Sequence, residues 1–369
     1  MLATPTMDQL RRYAISRSLF KPTSLQRAIT RLGFVQMDPI RAPARAQDLT
    51  LRHRVVDYRA GDLEVRYPRL AVEEDFFVNY GILPRAVQRL MHPRKARTPW
   101  PDSRSRQAEA VLEFVQSRGV VHPREVDAAF DHGRTKNWFG GNSRVSTQLL
   151  DGMHYRGLLR VARREGGIRL YAPALAPEPA SPDPETALDT LFDVAVAKYA
   201  PLPERTLSRL IFWLGTTAVP QWKERRRAAL VRAKARLAMA TVAGCRWYWP
   251  ADENPGSRRF ARDEVLDDEL RLLAPFDPIV WDRERFECFW GWAYRFEAYT
   301  PAPKRVRGYY ALPMLWRGQV IGWANAAVRD GQLHVEPGYV AGQEPRDAAF
   351  RPALQEEQQR LEQFLRARR

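Results

Sequence analysis

The sequence predicts an α+β chain in which winged helix-turn-helix units repeat and a small β-rich domain follows. Three observations lead there. Helical periodicity followed by an alternating strand pair recurs along roughly the first 260 residues. A proline-rich stretch interrupts this repeat near its middle, and beyond Leu266 the composition turns to aromatics and glycine turns.

In chain order, Thr6 caps a helix that carries Leu10, Tyr13 and Ala14 to about Phe20. Lys21-Pro22 interrupts it, because a residue before proline is pushed out of the helical region. Thr23-Ser24 open a second helix with Leu25, Ile29 and Leu32 on one face and Gly33 as its stop. The extended segment FVQMD follows, and residues 1–100 form the first expected unit.

From about Arg104, AEAVLEFVQSRG is an amphipathic helix, HPREVDAAF a short helix starting near His122 or Pro123, and GNSRVSTQLLDGMHYRG a longer one. LLRVARREGGIRLYA then alternates apolar and basic residues about Gly166-Gly167, as a hairpin does. Residues 104–172 are thus the clearest winged-helix unit. Its third helix would present Asn142, Ser143, Arg144 and Gln148 to a groove, while Arg163, Arg164 and Arg169 on the wing would meet phosphates.

Residues 173–184 read as a semi-rigid linker, with prolines and Leu175 as the one large side chain. The order then repeats over residues 185–260. ETALDTLFDVAVAKYA, ERTLSRLIFWLG and KERRRAALVRAKARLAMA are helices, and TVAGCRWYWP is the first strand of a wing. Residues 261–345 favour a small β-barrel or sheet, and a final helix over 346–369 carries Phe350, Leu354, Leu361 and Phe364.

The formal net charge is +16 with a pI near 10.2, which makes a polyanion the leading partner. Of the basic residues 52 are arginine and seven lysine; that suits phosphate forks, although a GC-rich genome also produces the bias. No run of about 18 apolar residues exists, and the N-terminus lacks an apolar signal core, so a cytoplasmic, nucleoid-associated protein with no membrane partner is expected. Cys245 and Cys288 are expected as core fillers. The six histidines show no metal-ligand spacing and no GxxxxGK[ST] loop occurs, so neither a metal nor any other cofactor is called for.

In an extended segment Gln36 and Asp38 share one face, with Val35 and Met37 opposite as anchors to the core. By the residues alone, Asp38-Pro39 reads first as a helix start, with Asp38 as its cap and Pro39 at its first position. Arg41, Arg45, Arg52 and Arg54 just beyond, and Lys304, Arg305 and Arg307 in a Pro-rich turn, could grip phosphates or form solvated basic faces.

At FVQMDPI the sequence resembles the bacterial winged-helix DNA glycosylases, which remove N7-alkylated purines and unhook interstrand crosslinks. The resemblance extends through RAPARAQDLTLRHR and NWFGGNSR to the long block APFDPIVWDRERFECFWGWAYRFEAYTPAPKRVRGYYALP. It implies three tandem winged helices forming a C-shaped scaffold, a C-terminal β-barrel and metal-free hydrolysis of the N-glycosidic bond. By the same resemblance Asp38 would stabilise the sugar oxocarbenium ion and draw a proton from water, and Gln36 would hold that water. Few lysines favour a monofunctional hydrolase over a Schiff-base lyase.

The chain departs from the family where EEDFFVNYGILPR replaces a Glu-Tyr-Trp-Ala-His-like stretch, and where Gln47 stands in place of a common histidine. A divergent branch is implied. The partner expected is duplex DNA containing alkylated purines, bound by a monomer with no obligate protein partner. The alternatives are a winged-helix transcriptional regulator with a C-terminal sensing domain, and an architectural protein without sequence preference.

Overall fold

The computed structural model describes residues 4–130, 134–136, 142–176, 182–261 and 268–366. The chain divides into two compact units. One comprises Met1–Asp62, Asp193–Arg209 and Arg232–Arg369, and the other Leu63–Phe192 and Leu210–Val231.

In the first unit, the helix Met7–Ser18 starts as the sequence requires. The Thr6 hydroxyl accepts from the Gln9 N–H while the Gln9 side chain accepts from the Thr6 N–H, so two otherwise unpaired groups are satisfied together. Ser24 caps the next helix, Leu25–Leu32, and Gly33 ends it at φ +68°. The short strand Val35–Gln36 follows, and the next helix begins only at Ala46.

The sequence ARLAMA, expected as helix, divides at Arg236. The helix Arg226–Arg236 ends there, and Leu237–Val242 pairs antiparallel with Cys245–Pro250. Ala243 and Gly244, both at positive φ, form the two-residue turn whose twist matches a hairpin. TVAGCRWYWP is therefore the end of one strand, the turn and the whole second strand.

Two further expectations are corrected. DPIVWDRERFECFW is helical, as Pro278–Trp281 and Arg283–Trp290, because Asp277 caps the first with its carboxylate on the Ile279 N–H and Gly291 ends the second at φ +73°. Its aromatics recur at helical spacing, and Phe286 and Phe289 are buried in the core. The C-terminal strands form an open antiparallel sheet in the order Arg271–Leu272, Leu312–Trp316, Gln319–Arg329, Gln332–Tyr339. Among the described residues no pairing closes it into the expected barrel.

The core of this unit joins Ile15 and Leu19 to Ile279, Phe286, Tyr294 and Leu315, each buried apolar side chain contributing about 1.5–3 kcal/mol. The last helix, Phe350–Leu365, buries Phe350, Ala353, Leu361 and Phe364, while Leu354 is only half-buried. Glu357 takes the remaining core-facing position, bound to Arg52 and to the Leu272 N–H.

In the second unit, the helices Asp102–Arg118 and Pro123–Ala129 stand where expected. The third helix starts later than expected, at Val145. Asn142–Arg144 is instead a strand paired with Arg134–Lys136. The hairpin Leu159–Glu165 and Ile168–Pro173 turns on Gly166-Gly167, both at positive φ. A second hairpin, Val72–Phe76 with Tyr80–Pro84, occupies the divergent EEDFF stretch and buries Glu73, Glu74 and Asp75. Much of the expected linker lies outside the described residues.

Candidate active site

The Gln36/Asp38 segment is anchored at both ends. The Asp38 N–H donates to Gln47 Oε1 at 3.2 Å, from the first turn of the helix Ala46–Leu51. Asp38 Oδ1 accepts from the Ile40 N–H at 2.9 Å, which makes a local turn rather than a helix cap. Pro39 starts no helix, so the capping reading of Asp-Pro does not hold here.

Burial departs from the expected alternation. Gln36 and Asp38 are 6% and 8% exposed, whereas Met37 between them is more exposed than either. Gln36 Oε1 is buried without a hydrogen-bond partner. A buried amide oxygen left open costs about 1–3 kcal/mol, and a ligand or water that donated to it would recover this. Burial holds the Asp38 carboxyl above its ordinary range, against the opposing Ile40 hydrogen bond.

Tyr310 belongs to the same electrostatic neighbourhood. It is 2% exposed, its hydroxyl has no partner, and its ring meets Phe296 edge-on at 5.3 Å. Burial first and the Asp38 charge second push its phenol well up. It lies in a turn, before the strand that begins at Leu312.

Behind the segment, Lys198 donates its ammonium to the Phe34 carbonyl. The sequence carried a signal for it, since Lys198 falls on the face of Pro184–Tyr199 that also bears Leu191 and Ala195. Gln47 stood out only as a family departure; Tyr309 and Tyr310 read in the sequence as alternating across a strand, with at most one facing a ligand, whereas both lie in a turn.

Of the basic residues expected near DNA, Arg41 is exposed and Arg45 half-buried. Arg54 is 0% exposed. Its guanidinium grips Asp277 through two bonds of 2.8 and 3.0 Å and also donates to the Ser18 and Thr50 carbonyls, so it is a core residue and no phosphate ligand. Arg52 is likewise bound inward, to Glu357 and the Leu272 carbonyl. Both arginines are held inward by buried carboxylates from distant parts of the chain, Glu357 and Asp277.

Lys304, Arg305 and Arg307 sit on a shaped loop. The Glu297 carboxylate accepts from the Val306, Arg307 and Gly308 N–H groups at 3.0, 2.8 and 3.3 Å, which holds it below the ordinary range against burial. Gly308 has φ +116°, and a Cβ there would lie 2.2 Å from Asn325 Oδ1. Lys304 is exposed, Arg305 lies over Tyr309, and Arg307 lies over Trp292 and Trp323.

In the second unit Arg164 makes two 2.7 Å bonds to buried Glu74, Arg169 pairs with Asp151, and Arg163 with Glu165. Gln148 lies on the helix Val145–Arg156, while the side chains of Asn142 and Arg144 lie outside the described residues. Four histidines have hydrogen-bond partners: His53 the Leu272 carbonyl, His92 Asp75, His122 the Arg124 N–H and His154 the Glu74 carbonyl. Cys245 is half-buried and Cys288 exposed, so neither is a fully buried core filler.

Comparison with known proteins finds a family model and a solved structure that the chain resembles. A family model described as DNA glycosylase AlkZ-like matches residues 29–364. The solved structure of the Streptomyces sahachiroi DNA glycosylase AlkZ is similar with a TM-score of 0.63 at 15% identity, over 98% of this chain and 97% of that one.

Proposed function

Because the chain belongs to the AlkZ-like DNA glycosylase family, we propose that it hydrolyses the N-glycosidic bond of N7-alkylated, cationic purines in duplex DNA, with Asp38 and Gln36 as its catalytic pair. The observation that carries this reading is the pair itself. A desolvated carboxylate and an amide oxygen without a partner stand two residues apart, on a segment tied down by Gln47.

The chemistry asks little of an acid. Alkylation at N7 already places positive charge on the departing purine. What remains is to stabilise the sugar cation and to place a water opposite the base, and a carboxylate in low dielectric does the first most strongly. Asp38 then takes the proton of that water, while the open Gln36 oxygen accepts from it. The reaction consumes water and yields a free base and an abasic site, with no cofactor and no lyase step. Interstrand crosslinks through N7 present the same bond and are included in the proposal.

We read the three helix-and-hairpin segments as winged-helix units that hold duplex DNA, and the protein as a cytoplasmic monomer. The deciding experiment measures alkali-labile sites released from duplex DNA carrying N7-methylguanine under single-turnover conditions. Asp38→Asn is expected to slow release at least about a hundredfold, roughly 2.7 kcal/mol of transition-state stabilisation, with duplex binding intact. Since Asp38 must be ionised and its carboxyl is held up, release should fall as pH drops through a value above the usual carboxylate range. Absence of release from this duplex and from a nitrogen-mustard crosslink would instead favour a winged-helix regulator.

A further inference from the structure

We propose that Lys198 is a positioning residue for this reaction, holding the Phe34 carbonyl so that its charge state sets how well Gln36 and Asp38 are placed. The inference rests on the glycosylase reading of that pair.

One face of the helix Pro184–Tyr199 makes two successive contacts with the chain entering the site. At Gly33 a Cβ would lie 2.7 Å from Val194 Cγ1, so only glycine, already at φ +68°, admits the helix this closely. One helical turn later Lys198 takes the next carbonyl, that of Phe34. The peptide that leads into Val35 and Gln36 is thereby fixed by packing on one side and by a hydrogen bond on the other.

Lys198 is 5% exposed, with its ammonium 5.7 Å from the Phe34 ring and 5.2 Å from the Tyr199 ring. Burial, and next the nearby Arg54, lower it to about 7, with Asp277 opposing. Arg54 and Asp277 neutralise one another as a buried pair. On its other side Lys198 lines a cavity of about 490 Å³ with Arg17, Lys21, Arg31 and Arg259, where Glu253 is the one carboxylate and is paired to Arg17. This surrounding is mostly positive, so no neighbouring acid restores the ammonium. Below about pH 7 the bond to Phe34 is charge-assisted, and above it a weaker neutral amine remains.

Release of N7-methylguanine is followed from about pH 5.5 to 9 for the wild type, Lys198→Met and Lys198→Gln. Wild-type release should weaken as pH rises through about 7. Lys198→Met should be at least about tenfold slower at pH 6, since a small misplacement of catalytic groups is costly, and should show no step near neutrality. Its affinity for the duplex should stay within about twofold, and Lys198→Gln, which keeps an N–H donor, should recover part of the rate. A Lys198→Met protein that matches the wild-type rate or keeps the step overturns the proposal.

A second readout does not depend on activity. The backbone amide resonances of Val35, Gln36 and Asp38 should titrate near pH 7 in the wild type and not in Lys198→Met. If the wild type releases no base, the glycosylase reading fails on its own account. The amide titration then still decides whether Lys198 governs the segment, and amides that do not move overturn it.

Discussion

The hairpin at Leu159–Pro173 and the loop at Lys304–Gly308 are both rich in basic residues, yet they use carboxylates in opposite ways. In the hairpin, Glu74, Asp151 and Glu165 take the guanidinium groups of Arg164, Arg169 and Arg163 themselves. In the loop, Glu297 takes three backbone N–H groups. The first arrangement neutralises side chains and stiffens a fold. The second shapes the backbone and leaves Lys304 exposed. A count of positive charge cannot tell these apart, whereas tracing the partner of each carboxylate does.

The largest expected effect breaks the hairpin side. Glu74→Gln leaves the Arg164 guanidinium and the Tyr80 hydroxyl, both held by Glu74, facing a neutral amide. It should lower the stability of this unit by about 3–5 kcal/mol in chemical denaturation. The carboxyls of Glu74 and Asp75 are both held below their ordinary range against burial, Glu74 by Arg164 and Asp75 by Arg94 and His92. Their stabilisation is therefore fully present above about pH 4, the unfolded value, and is lost as pH falls through the folded values. Wild-type stability should drop steeply in acid, and Glu74→Gln should flatten that drop. A loss below about 1 kcal/mol would mean that Arg164 finds another partner and that the two regions differ less than their contacts imply.

Next in size is Glu297→Ala, which releases the loop. Affinity for undamaged duplex should fall about tenfold, or roughly 1.4 kcal/mol, through lost organisation and not lost charge. The variant carries one more net positive charge, so tighter binding would show that charge dominates over shape. Smaller again is Lys304→Ala. The slope of log affinity against log salt should shrink by about 0.9 if the residue neutralises one phosphate, while Arg164→Ala should leave the slope unchanged and lower stability instead.

Much of the local fold was legible, because its causes are local. Thr6 and Ser24 as caps, Gly33 as a stop and Gly166-Gly167 as a turn each act within a few residues. The failures have two kinds of cause. Residues 278–290 look strand-like by composition, which masks the local signals of Asp277 and Gly291 at the ends of two successive helices, Pro278–Trp281 and Arg283–Trp290. Arg52 and Arg54 look like phosphate ligands until Glu357 and Asp277, more than 200 residues away, claim them. Within the candidate site, Gln36 and Asp38 could be singled out by resemblance alone. Their burial, the Gln47 contact and the neighbouring Tyr310 depend on which distant segments meet.

The smallest stability effect is expected at Tyr310→Phe. The hydroxyl is buried without a partner, so removing it relieves a desolvation cost and leaves nothing else unpaired. Stability should stay within about 0.5 kcal/mol of the wild type, or rise. Base release should respond more, because the phenol lies within the field of Asp38 and is the kind of donor that would steady its carboxylate or the attacking water. A severalfold loss of rate at unchanged stability would place Tyr310 with Gln36 and Asp38. A loss of stability above about 1 kcal/mol would show that the hydroxyl already has a bound water between itself and the protein.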